Sequence, residues 1–225
     1  MKEERVGDLY ALACGLVCGL GNIPAKAALG SISPEIYNLF FFGAAFVIMS
    51  VTLVSKKSRR EIVRINKKAF GLIFVLAVLF GVALYCMMTA LKMIEPATVS
   101  FLSRFEVIVT LVLAFFILKE RLTIVELAGG LVALAGVFIL KFQTTGLISE
   151  AATLMIISAV CFGVAEIIVK RHIALIGTIR FIFWRNLFMI GIFTVVTMAT
   201  GQEIIVPDRR TLISVSYTHL TLPTN

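Results

Sequence analysis

Apolar residues in this chain come in blocks, each long enough to cross a bilayer and each closed by a short polar connection. Seven blocks can be drawn, over residues 8–29, 34–54, 69–91, 96–118, 123–141, 150–170 and 178–200. A run of roughly 20 apolar residues crosses a hydrocarbon core about 30 Å thick as a helix. Several blocks contain glycine, which membrane helices tolerate. The connections are short and leave no room for an extramembrane catalytic domain. The pattern predicts an all-α polytopic membrane protein.

One block breaks its own rule. Residues 100–110 read SFLSRFEVIVT and set Arg104 and Glu106 near the middle of the fourth span. A charge at bilayer depth costs about 2.5–3.5 kcal/mol on insertion scales. At a rise of about 1.5 Å per residue, Arg104 lies roughly 12 Å below the outer end of a continuous helix and Glu106 roughly 15 Å. Two residues apart, they point in nearly opposite directions and cannot pair on one face. Glu106 shares its stripe with Ser103 and Thr110, and Arg104 shares one with Ser100. Either both are buried pairs that hold a bundle together, or at least one borders a central cavity as a substrate contact or protonation site. The second reading is preferred, because intramembrane ionisable groups mark transport pathways.

Glu166 and Arg185 form a second set, both expected in the inner third of the membrane. They could pair across adjacent antiparallel helices, Glu166 could pair with Lys170 four residues on, or the set could serve as a gate or cation contact. Lys26 is expected to snorkel to the outer interface. Trp184, Tyr10 and Tyr37 lie near span ends as interfacial anchors. Tyr85 and Phe105 sit deeper, where they could line a cavity.

Composition agrees with the pattern. Of 225 residues, 60% are hydrophobic and 15% charged, with a mean hydropathy of +1.02; a soluble domain is about half apolar and a quarter charged. The net charge of +8 does not point to nucleic acid, because its largest cluster is one loop, KKSRREIVRINKK at 56–68. With the N-terminus inside, the inner connections hold thirteen Lys and Arg against five outside. That bias sets the N-terminus in the cytoplasm. No cleavable signal peptide is evident, so the first span acts as its own targeting signal.

The cysteines, Cys14, Cys18, Cys86 and Cys161, all fall inside spans and complete no metal site with histidine. They read as small packing residues. There is no phosphate-binding glycine loop, no paired-histidine set and no nucleophile beside a base, so the chain is not expected to be an enzyme or to hold a cofactor or metal. Any energy coupling must then come from an ion gradient or exchange.

Two stretches resemble one another. GLVCGLGNIPAKAALGS ends the first span and SAVCFGVAEIIVKRHIA the sixth, each with Val-Cys followed by a lysine eight or nine positions later, Lys26 and Lys170. Five spans separate the copies, so the second would insert upside down, as in the inverted repeats of secondary transporters. The expected division is a first repeat over 1–141, the start of a second over 142–213, and a non-native tail over 214–225. The polar, Thr-rich ending SYTHLTLPTN cannot continue a spanning helix and reads as the end of an incomplete gene.

Residues 90–140, ALKMIEPATVSFLSRFEVIVTLVLAFFILKERLTIVELAGGLVALAGVFIL, resemble the end of an EamA domain of the drug/metabolite transporter superfamily. The resemblance rests on the Ala-Leu exit from span 3, the turn Glu120-Arg121-Leu122-Thr123, and the glycines Gly129, Gly130 and Gly136 of span 5. Two positions depart from the pattern: Lys119 stands where a glycine often precedes the turn, and Val107 where a proline often sits. The turn has its own physics, since Thr123 can cap span 5 with Glu126 completing a capping box. The resemblance implies ten helices in two inverted five-helix repeats, about seven of them present here. It further implies a permease for metabolites, amino acids or drugs in the cytoplasmic membrane.

The expected activity is alternating-access transport of a small organic solute. Arg104, Glu106, Glu166, Arg185 and Tyr85 are the candidate substrate-binding or coupling residues. Glu106 is expected to be the proton-linked or cation-contacting acid, and Arg104 the partner of an anionic group. The expected partners are the solute and the lipid bilayer, with proton or ion coupling and a homodimer left open and nucleic acid excluded. The competing reading is a non-transporting membrane scaffold or sensor with structural charge pairs.

Overall fold

The computed structural model describes residues 21–52, 62, 65–119, 128–132, 135 and 148–201, and every regular element among them is helical. In chain order these are α1 (21–29), α2 (Pro34–Thr52), α3 (Lys67–Met93), α4 (Pro96–Leu102), α5 (Phe105–Leu113) with a π-helical turn at Ala114–Leu118, a helical stretch at 128–132, α6 (Ile148–Ile176) and α7 (Thr178–Ala199). Four segments are long and apolar enough to cross a membrane: Lys67–Met93, Pro96–Ile117, Glu150–Ile176 and Thr178–Ala199. Pro34–Ser50 is a shorter apolar helix. The first and fifth expected spans are described only over 21–29 and over 128–132 with 135, and Tyr10, Cys14, Cys18, Glu120, Arg121, Thr123, Glu126 and Gly136 lie outside the described residues.

Helix α3 is the hub, packing on α6, α7 and α2, while α2 also packs on α7 and α5 on α6. Its buried face carries Ala69, Ala77, Gly81, Ala83 and Ala90 among larger residues. Membrane helices gain nothing by leaving lipid for one another on hydrophobic grounds, so close backbone approach through small residues has to supply the packing. A Cβ on Gly81 would already touch Met189 of α7 at 3.6 Å. Ser158 of α6 ties the same helix down, its hydroxyl donating to the Ala83 carbonyl at 2.8 Å. One apolar cluster joins α1, α2, α3, α4 and α6 around Leu29, Leu91 and Met155. A second joins α3, α6 and α7 around Ile73, Leu76 and Ile176.

Three expectations need correction. The fourth span is not one helix. It breaks at Ser103 and Arg104, where Arg104, Glu106 and Val107 donate their amides three residues back instead of four. Ser103 Oγ donates to the Ser100 carbonyl at 2.8 Å, the kind of local side-chain bond that competes with a helical ladder. Lys26 does not snorkel. Its Nζ donates to the carbonyls of Leu91, Lys92 and Ile94 at 2.6, 2.9 and 3.0 Å. Those are the orphan acceptors at the end of α3, and a cation there also complements the helix dipole. Tyr37 is no interfacial anchor but a core residue, 2% exposed.

Candidate functional site at the broken helix

The break frees α5 to lie along α6. Its nine residues place Glu106, Val109 and Thr110 on one stripe. Opposite them α6 presents Gly163 and Glu166, one turn apart. Gly163 is what allows the approach: a Cβ there would stand 2.8 Å from Val109 Cγ1 and 3.2 Å from Thr110 Oγ1.

At this crossing two carboxyl groups meet. Thr110 Oγ1 donates to Glu166 Oε2 at 3.3 Å, and the Glu106 carboxyl lies within electrostatic reach of Glu166. Glu106 is half-buried and Glu166 exposed, so the pair borders open surface. Arg104 stands exposed on the adjoining turn.

The expected ion pair between Glu166 and Arg185 does not form. Helix α6 runs on to Ile176, six residues past the expected end at 170, and this brings Glu166 nearer mid-helix and against α5. Arg185 instead faces aromatic rings, its guanidinium carbon 5.4 Å from the Phe80 centroid and 5.2 Å from that of Phe181. Tyr85 belongs to neither group. Its hydroxyl donates to Oε1 of Glu35 at 3.2 Å, a 5%-exposed acid whose Oε2 has no partner. Thus Glu106 and Glu166 come together, Arg104 lies on the adjoining turn, and Tyr85 of α3 and Arg185 of α7 occupy separate positions.

Residues 5–142 match the model of the EamA-like transporter family. The chain belongs to this family. It is a multi-pass membrane protein of the drug/metabolite transporter type, and the match covers α5 but stops short of α6. None of the curated proteins compared matches the chain.

For an EamA-like transporter, two polar contacts at this end of the bundle went unread in the sequence. Asn22 of α1 donates to Ser100 Oγ at 2.7 Å, so the first half of the broken helix is held by α1 as the second is by α6. Glu35 directly follows Pro34 at a helix start, where an acid reads as a favourable dipole partner at an interface; only its burial against Tyr85 sets it apart. Among the described residues no group of three or more His, Cys, Asp or Glu could hold a metal ion, and Cys86 and Cys161 are free thiols.

Proposed function

We propose that this EamA-like protein moves small organic solutes across the cell membrane by alternating access, with its N-terminus in the cytoplasm. The carboxyl pair Glu106–Glu166 is its coupling site. The observation that carries this reading is two acids brought close where the interrupted span of α4 and α5 crosses α6. Broken helices at mid-membrane form the binding sites of secondary transporters, and a proton held between two acids is cargo that a gradient can drive. When the proton leaves, two like charges face each other, which favours parting α5 from α6. The packing of α2 on α7 supports the inverted-repeat architecture, because these are the second helices of the two expected repeats. Arg104, on the adjoining turn, is positioned to meet an anionic group on the solute or protein.

Proteoliposomes with an imposed pH gradient test this. Glu106→Gln and Glu166→Gln keep shape and hydrogen-bonding capacity but cannot carry the proton. Each should abolish solute-dependent proton movement while leaving reconstitution intact. Wild-type proton flux in both variants would refute the coupling role.

A further inference from the structure

Arg185 lies inside the span Thr178–Ala199, yet nothing among the described residues neutralises it. Among the described residues no carboxylate pairs with it, and its Nε is buried with no hydrogen-bond partner. What surrounds the guanidinium is aromatic. The Phe80 and Phe181 rings stand 6.4 Å apart and tilted by 54°, forming a notch with the cation at its mouth. Cation–π contact offsets part of the cost of burying the charge, but ring faces accept no N–H bond in the guanidinium plane. The residue as a whole is half-buried, while its Nε is fully buried.

The location ties this notch to the carboxyl pair. Glu166 lies ten residues before the end of α6, and Arg185 seven residues after the start of α7. The two helices meet at Gly177, so at about 1.5 Å per residue the two charges differ in depth by only about 5 Å. Phe162, one turn before Glu166 on α6, has its ring 5.7 Å from that of Phe80. The acid pair and the unpaired cation therefore occupy one layer, linked through two stacked-edge rings.

We propose that Arg185 is an anion-binding residue of the pathway, and that the solute carries a carboxylate on a flat apolar or aromatic body. A guanidinium whose side is lined by rings still offers its planar edge, and that fork matches a carboxylate in bidentate geometry. The half-buried ring of Phe80 then packs the body of the solute next to the charge, with Phe181 behind it in the core. This rests on the transport reading above for its biological meaning, but the binding itself does not require transport.

The test is equilibrium binding by thermal shift of the full chain in neutral detergent, using phenylacetate, its neutral isostere phenylacetamide and the cation phenethylamine as probes. Phenylacetate should raise the melting temperature in a saturable way and the other two should not. Arg185→Gln should remove that shift. Should Arg185→Gln fail to fold, Arg185→Lys keeps the charge without the fork and should weaken phenylacetate at least about tenfold. Equal stabilisation by phenylacetamide, a retained shift in Arg185→Gln, or undiminished affinity in Arg185→Lys would each overturn the proposal. Phenylacetate binding that depends on Arg185 in a protein with no proton-driven flux would instead count against the transport reading alone.

Discussion

Glu106 and Glu166 come within electrostatic reach of each other where α5 crosses α6. Thr110 adds a hydroxyl bond to Glu166. Glu166 is exposed and Glu106 and Thr110 half-buried, so Glu166→Ala should destabilise the protein by about 0.5–1.5 kcal/mol, the net worth of an ordinary hydrogen bond. Glu106→Ala should do the same. The double variant should lose less than the two losses combined, with a coupling energy of about 0.5–3 kcal/mol as expected for residues in direct contact. Thermal denaturation of the four proteins in one detergent measures it, and strictly additive losses would mean that the two acids do not interact.

The crossing tolerates nothing larger than hydrogen at position 163. Val109 is β-branched and stiff at its first torsion, so it cannot swing away from a Cβ placed 2.8 Å from its methyl. Gly163→Ala should therefore push α5 off α6 at a cost of about 1–3 kcal/mol, typical of overpacking. It should also lower proton-coupled flux by parting Thr110 and Glu106 from Glu166. The reciprocal change identifies the cause: Val109→Ala added to Gly163→Ala should recover most of the lost stability. If the second substitution deepens the loss, a direct clash is not the mechanism.

The helices were legible because bilayer thickness fixes one scale, and runs of about 20 apolar residues announce it without any tertiary information. Glu106 was legible for a related reason, since an acid amid Phe105, Val107 and Ile108 has no inexpensive explanation in lipid. Its partner was not. Pairing Glu166 with Arg185 assumed that α6 stops at the basic residues Lys170 and Arg171, whereas the helix carries them along and ends at Ile176. The break at Ser103 was also hidden, because serine is tolerated inside membrane helices and only its bond to Ser100 reveals the local competition. Lys26 shows the remaining limit. A lysine near a span end reads as snorkelling, and nothing local tells that three carbonyls of another helix, some 65 residues on, lie within its reach.

Lys119 shows a departure from the family pattern acting through the backbone. The family often has glycine before its Glu-Arg-Leu-Thr turn, and this chain has lysine at φ 55°, ψ 30°, closing the π-helical turn with its amide donating to the Ala114 carbonyl. Among the described residues it is the non-glycine residue with positive φ. A Cβ in the left-handed region costs roughly 1–2 kcal/mol, and glycine avoids this at an entropic cost of roughly 0.5–1 kcal/mol. Lys119→Gly should thus stabilise the protein by about 0.5–1 kcal/mol, the difference of those two effects. Lys119→Ala keeps the Cβ and loses only the charge, which near a helix C-terminus is mildly favourable, so it should be neutral or slightly destabilising. Melting temperatures of the two variants decide between backbone and charge. An equal gain from alanine and glycine would assign the effect to the ammonium group and leave the family's glycine unexplained by backbone geometry.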